Sequence, residues 1–154
     1  MNPRAHLPII ASSETETCAR TRTGLARAVL PEIGECLTTL VKSGITSAID
    51  LRSLPMTDAD RDELATLLGR GEVSMTISVA GDSEVWETDY PGIWWVRHRD
   101  GGGDIISEFI EIATVPEIAV AHGKDVERSH QRMARLIAES RHGGSDDAYY
   151  QADE

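Results

Sequence analysis

The sequence predicts an α+β fold: an antiparallel β-sheet of about four to five strands, arranged as a meander, with helices packed on one face. Three observations predict it. Apolar residues at three-and-four spacing are confined to the stretches 25–68 and 124–140, polar and apolar residues alternate without error from Glu72 to Val79, and Gly81-Asp82, Pro91-Gly92 and Asp100-Gly101-Gly102-Gly103 cut the segment between them into short pieces. Helical and extended patterns are therefore segregated along the chain more than strictly alternated, which favours α+β over a parallel α/β sheet.

Residues 1–22 mix Pro, Ser, Thr and charge without periodicity and read as a flexible N-terminal arm. Structure begins near Leu25. Ala26, Val29, Leu30, Ile33, Cys36, Leu37, Leu40 and Val41 fall on one helical face that ends at Ser43-Gly44, and Pro31 either starts that helix or kinks a longer one. Ile45–Leu51 reads as a short strand. Thr57 or Asp58 can cap a second helix, with Leu64, Leu67 and Leu68 as its core face and Gly69 and Gly71 as its stop. The alternating run then opens the sheet, and strands follow near Glu84–Thr88, Ile93–Arg99 and Ile105–Ala113. Pro116 ends the last of these. A final helix is expected over Lys124 to about Ser140 with Val126, Met133, Leu136 and Ile137 facing inward. Residues 23–142 thus read as one α+β domain, and 143–154 as a disordered acidic tail containing Asp146, Asp147, Asp153 and Glu154.

With 154 residues the chain has room for one globular domain, and its formal charge of −11 disfavours a nucleic acid or an anionic membrane surface as partner. The acidic balance suits a basic segment in a partner. Cys18 and Cys36 form neither a CxxC pair nor a metal-ligand cluster, so no disulfide framework, metal site or cofactor is expected. Neither an export signal nor an apolar run of membrane-spanning length is visible, and a soluble cytoplasmic protein is the expectation.

Catalytic spacing is absent too. There is no GxSxG, HExxH, Walker A or GxGxxG, and the histidines at 6, 98, 122, 130 and 142 are scattered. Glu84, Glu87 and Asp89 are the carboxylates a strand could pair, and Glu84 and Glu87 with His98 form the least poor acid–base site, although a solvated sheet face is the ordinary reading. The tryptophans say more. Trp86, Trp94 and Trp95 lie within ten residues of one another although aromatics are 5% of the composition. Trp94 and Trp95 must point to opposite faces of a strand, so one large ring is expected at the surface. Trp94 shares parity with Val96 and His98, and Trp95 with Arg97 and Arg99, which predicts Trp94 inward and Trp95 outward as a recognition residue.

The same residues carry a resemblance. The segments IDLRSLPMTDADRDEL (49–64), LGRGEVS (68–74), ET-x-x-PGIWWVRHRD (87–100) and IEIATVPEI (110–118), preceded by VLPEIGECL (29–37), resemble the C-terminal region of the HupH/HyaF hydrogenase expression/formation proteins. The resemblance implies a non-catalytic accessory chaperone in maturation of a nickel–iron uptake hydrogenase, binding the small-subunit precursor before export. It leaves room for a second maturation protein as partner and for a homodimer formed through a strand edge. A metal or iron–sulfur carrier in the same pathway is the alternative. Trp95, Arg97, Trp86 and Glu87 are the expected partner contacts, with Gly71, Glu72, Pro91 and Gly92 setting the shape of the site.

Overall fold

The computed structural model describes residues 21–78 and 81–142. The expected arm lies outside the described residues except for Thr21 and Arg22, as do the expected acidic tail and the strand end at Val79. The chain divides into two compact units, through Pro116 and from Glu117 onward.

The first unit opens with helices α1 (Leu25–Ala28) and α2 (Leu30–Ser43), separated at Val29. Pro31, in the first turn of α2, starts this helix instead of kinking a longer one, because its missing N–H falls where a helix has no acceptor for it. Gly44, at φ 69°, closes α2 with its N–H on the Leu40 carbonyl. Strand β1 (Ser47–Asp50) follows, then α3 (Asp58–Leu68), β2 (Ser74–Ser78), β3 (Asp82–Glu87), β4 (Ile93–Arg99) and β5 (Ile105–Ile112). The fold is the expected α+β, with a five-stranded antiparallel sheet in the order β1-β5-β4-β3-β2. The last four strands are a meander. The first joins it from outside, Ser47 to Asp50 pairing with Ile112 to Phe109.

One face of the sheet holds the helices. Ala26, Val29, Ile33, Met56, Leu64 and Leu68 meet Ile49, Leu51, Trp86, Ile93, Trp95, Ile110 and Ile112 in a single buried cluster. Val41 departs from the expected face and is 80% exposed, because it stands about 100° round the helix from Leu40, at the rim of the apolar stripe. On the opposite face Val85, Trp94 and Val96 are buried in a second cluster with the partly buried Met75 and Phe109. The alternation in β2 therefore reads correctly, but its apolar side joins this second cluster and not the helix-covered one. Val73, expected on the same apolar side, precedes β2 and is 45% exposed.

Asp60 ties the start of the domain together. The side chain of Thr57 caps α3 by accepting the Asp60 N–H at 3.1 Å, and Asp60 accepts the Thr57 N–H in return, also at 3.1 Å. Asp60 also accepts the Thr23 N–H and the Thr23 hydroxyl, each at 2.7 Å, which anchors the chain ahead of α1 to the tip of α3. The Thr57 hydroxyl lies between Asp60 Oδ2 at 2.9 Å and the Thr21 carbonyl at 2.8 Å, with one proton to share. Burial pushes the Asp60 carboxyl up, but the hydrogen bonds from Thr23 and Thr57 outweigh burial and hold it well below the usual carboxylate range.

The second unit contains a 3₁₀ turn (Glu117–Ala119) and helix α4 (Gly123–His142). The helix matches its expected span, but Val126, Met133, Leu136 and Ile137 are 46–58% exposed and not turned inward. The amphipathic pattern was legible; within its own unit, however, a lone helix has no second layer against which to bury a face. No helix of the described residues is long and apolar enough to cross a membrane.

The depressed Asp60 pKa fixes the sign of an acid effect. An unfolded carboxyl titrates near about 3.9, so the stabilisation from Asp60 is fully present above that pH and is lost as pH falls toward the lower folded value. Asp60→Asn is expected to cost roughly 1–3 kcal/mol at neutral pH. In urea unfolding the gap between wild type and variant should narrow steadily below about pH 4; a gap independent of pH would mean that the carboxylate charge contributes nothing.

Candidate functional site

Pairing across the sheet sets two rows of side chains on the helix side. In the first, Trp86 stands opposite Trp95, Trp95 opposite Ile110 and Ile110 opposite Ile49. In the second, Glu84 stands opposite Arg97 and Arg97 opposite Glu108. The first row is the floor of the helix-covered core, and the second lies where that core ends.

The indoles of Trp86 and Trp95 stack, with centroids 5.5 Å apart and planes 10° from parallel. Trp95 carries its polar edge into the next row, donating Nε1–H to Glu108 Oε1 at 2.9 Å. The same oxygen accepts Arg97 Nε–H at 2.8 Å and lies 2.7 Å from the second Arg97 terminal nitrogen. Arg61 of α3 approaches the other oxygen, Nε to Oε2 at 3.5 Å. Glu108 is 2% exposed, and a carboxylate so placed requires this set of donors to offset its lost hydration. Arg97 also reaches Glu84 at 3.7 Å, and Arg99 reaches the same carboxylate at 3.8 Å.

The loop from Leu68 to Val73 completes the site. It runs along the end of β3, with the Gly71 N–H on the Glu87 carbonyl at 2.8 Å, the Glu87 N–H on the Val73 carbonyl at 2.9 Å and the Asp89 N–H on the Leu68 carbonyl at 2.9 Å. A Cβ at Gly71 would come within 2.6 Å of the Thr88 carbonyl oxygen, so the approach requires glycine. The result is that Arg70 is carried over Trp86, its guanidinium carbon 4.8 Å from the ring centroid, while Arg97 lies at 5.3 Å from the same ring. At the far end of β3, Tyr90-Pro91-Gly92-Ile93 forms a turn closed by the Ile93 N–H on the Tyr90 carbonyl at 3.1 Å. Proline second and glycine third at φ 86° are the requirements of a type II turn.

Of the expected contacts, Trp86, Trp95 and Arg97 come together on one face. Glu87 does not: it pairs opposite Trp94 and belongs to the other face, where its Oε1 accepts the Gly92 N–H at 3.2 Å. The expected orientation of the tryptophans is corrected. Trp95 is 1% exposed and packs under the helices, Trp94 is 5% exposed on the opposite face with Nε1–H on the Ala113 carbonyl, and Trp86 is 7% exposed. Trp94 and Trp95 do take opposite faces, but both faces of β4 are buried, so neither ring is left for solvent. Gly71 makes the close approach and Pro91 and Gly92 the turn just described, whereas Glu72 is exposed and nothing in the structure explains it.

Arg70, Arg61 and Glu108 went unnoticed in the sequence. The signal for Glu108 was there: it shares strand parity with Ile110 and Ile112, so a charge stands at a core-facing position and demands a partner. Arg52, Asp58, Arg61, Ile105 and Glu108 line a shallow hollow of about 310 Å³, with Arg52 donating to the Ile105 carbonyl. The expected acid–base set is not assembled, since Glu84 lies on the helix side while Glu87 and His98 lie on the other, where His98 Nδ1 contacts the Ser83 hydroxyl at 2.8 Å. Among the described residues no three His, Cys, Asp or Glu side chains are grouped to hold a metal ion. Cys36 is a half-buried free thiol and Cys18 lies outside the described residues.

Comparison with known proteins agrees with the motifs. Residues 24–139 match the model of the HupH hydrogenase expression protein, C-terminal conserved region. The hydrogenase expression/formation protein HoxQ of Azotobacter vinelandii is 30% identical over 89 residues, 58% of this chain and 31% of its own length. The hydrogenase expression/formation protein HupH of Rhodobacter capsulatus is 31% identical over 94 residues, 61% of this chain and 34% of its own. The chain thus spans about a third of the length of these curated relatives. A solved structure, the hydrogenase expression protein HupH from Thiobacillus denitrificans ATCC 25259, superposes with a TM-score of 0.74 at 39% identity, covering 77% of this chain and 99% of that one.

The buried carboxylate gives a stability prediction. Glu108→Gln preserves volume but turns N–H groups toward N–H donors, and is expected to cost roughly 1.5–3 kcal/mol in urea unfolding. Trp95→Ala, which also empties part of the core, is expected to cost about 3–5 kcal/mol. Near-wild-type stability of Glu108→Gln would mean that the Arg97 and Trp95 hydrogen bonds do not hold the row together.

Proposed function

The chain belongs to the HupH hydrogenase expression protein family, whose C-terminal conserved region it carries, and from that premise we propose that it is a non-catalytic accessory chaperone in the maturation of a nickel–iron uptake hydrogenase. Its client in this reading is the small-subunit precursor, held in the cytoplasm before export, with room for a second maturation protein in the complex. One observation carries the reading. Two of the segments that resemble the family, LGRGEVS (68–74) and ET-x-x-PGIWWVRHRD (87–100), meet on a single face across Trp86, with Arg70 over its ring and Trp95 and Arg97 beside it.

That face is built for contact rather than for chemistry. Its carboxylates are engaged in ion pairs, and its polar groups are presented on a rigid sheet instead of converging on an enclosed space. Rings buried under charged groups at a partly exposed rim are a common arrangement of an interface hot spot, in which the aromatic supplies a fixed support and the guanidinium makes the directional contact. Arg97 is the contact in this reading, Trp86 and Trp95 support it from below, and Glu87 contributes only where the client also reaches the second face.

The test is capture of small-subunit precursor from an anaerobic extract by wild-type protein and by Arg97→Ala, Glu87→Ala and Trp95→Phe, with metal analysis of the eluate. Arg97→Ala is expected to weaken capture by about 2 kcal/mol, as truncation of a hot-spot arginine does, and Trp95→Phe to keep the fold with a smaller loss. Capture insensitive to Arg97 would remove this face from the site, and stoichiometric metal on the bait with no precursor would favour the carrier alternative.

A further inference from the structure

The arginines of the helix-side face form a connected string. Arg70 and Arg97 share the Trp86 ring, Arg97 and Arg61 share Glu108, and Arg97 and Arg99 share Glu84. Arg52 lines the same hollow as Arg61 and Glu108. Arg52, Arg61, Arg97 and Arg99 lie around Asp58, Glu84 and Glu108, and Arg70 stands over Trp86 with the Asp89 carboxylate against the neighbouring Gly69, so five guanidiniums face four carboxylates in a protein whose formal charge is −11. The face proposed for the client has the opposite sign to the molecule as a whole.

The donors are unequally occupied. Arg97 gives its Nε and a terminal nitrogen to Glu108, and Arg99 donates to the Gly103 carbonyl at 3.0 Å. Arg70 is exposed, and a cation–π contact with Trp86 fixes its position without using a single N–H. Among the described residues it has no hydrogen bond or ion pair. A guanidinium with its fork free and its location fixed is suited to bidentate recognition of a carboxylate, because little further ordering is needed when the ligand arrives.

We propose that this string receives an acidic segment of the client protein, with carboxylates seated on Arg70 and on the neighbouring Arg97 and Arg61. The assignment rests on the chaperone reading above and deepens it by naming the chemistry of the segment recognised. It also reverses the expectation that an acidic chain selects a basic segment: long-range steering follows net charge, but the contact follows the local sign. A phosphate polymer fits less well. Nucleic-acid binding requires many cations tracking a backbone, and the rest of this surface would repel it, whereas two or three forked contacts suffice for a short acidic peptide.

The experiment is fluorescence anisotropy on the full chain with a labelled Glu-Gly repeat peptide, a Lys-Gly repeat of equal length and a short oligothymidylate, alongside precursor capture with the same variants. The Glu-Gly peptide is expected to bind with steep salt dependence and the Lys-Gly peptide not to bind. Arg70→Ala should weaken the Glu-Gly complex at least about tenfold and Arg70→Glu should abolish it, with Arg70→Lys restoring part of the loss. Because Arg70 is exposed and outside the core cluster, these variants are expected to stay folded, with the unfolding midpoint lowered only by loss of the contact with Trp86. No binding of the Glu-Gly peptide, binding indifferent to Arg70→Glu, or equal binding of oligothymidylate would each overturn the assignment. Precursor captured equally by wild type and Arg70→Glu would overturn it while leaving the chaperone reading intact. Glu-Gly binding without any precursor capture would support the acidic-segment site and remove the chaperone reading.

Discussion

A single buried carboxylate orders the helix-side face of this protein. Glu108 has almost no access to water, so it must collect hydrogen bonds, and the groups available are the indole of Trp95, the guanidinium of Arg97 and that of Arg61. Each bond fixes something else. With its N–H tied to Glu108, the Trp95 ring is set in the plane that stacks on Trp86, and Trp86 in turn supports Arg70. Arg97, held from one side, can reach Glu84 on the other, which links three neighbouring strands through charged side chains as well as through their backbone ladders. The pair with Arg61 adds a helix to the same network.

This explains how an apolar core and a polar site share one surface without a boundary problem. The rows of a sheet are spaced by two residues along each strand, so replacing Trp86, Trp95 and Ile110 by Glu84, Arg97 and Glu108 changes the floor from hydrocarbon to charge in one step. Trp95 spans that step. Its ring lies in the core and its nitrogen in the polar row, an arrangement that suits an indole, which has a large apolar body and one donor at its edge.

Much of the fold was legible because local signals and tertiary context agreed. The Ile93–Arg99 strand and the α4 span follow from residue types whose backbone preferences are strong, whereas the choice of Thr57 over Asp58 as cap and of Pro31 as a start over a kink is made by the structure. The pairing of β1 with β5 was not legible, since nothing in Ser47–Asp50 names a partner more than fifty residues away. The site was half legible. Strand parity gave the relation among Trp94, Trp95, Arg97 and Arg99 correctly, but parity carries no information about which face the helices take, and Trp95 was assigned to the wrong one. Arg70 was hidden for another reason. Its position depends on a glycine loop lying against the end of β3, and that contact is visible only once Gly71 is seen beside Thr88.

The place of β1 in the sheet also bears on the order in which the protein can be made. Residues 25–68 emerge from the ribosome before the strands they cover, and β1 has no partner until Phe109–Ile112 has been synthesised. For that interval Ile33, Leu64 and Leu68 have no sheet to pack on, and the edge of β1 is open. Closing the sheet is thus a long-range event delayed to the end of the first unit's synthesis, and until β5 arrives the nascent chain carries an unpaired strand and an uncovered apolar helix face.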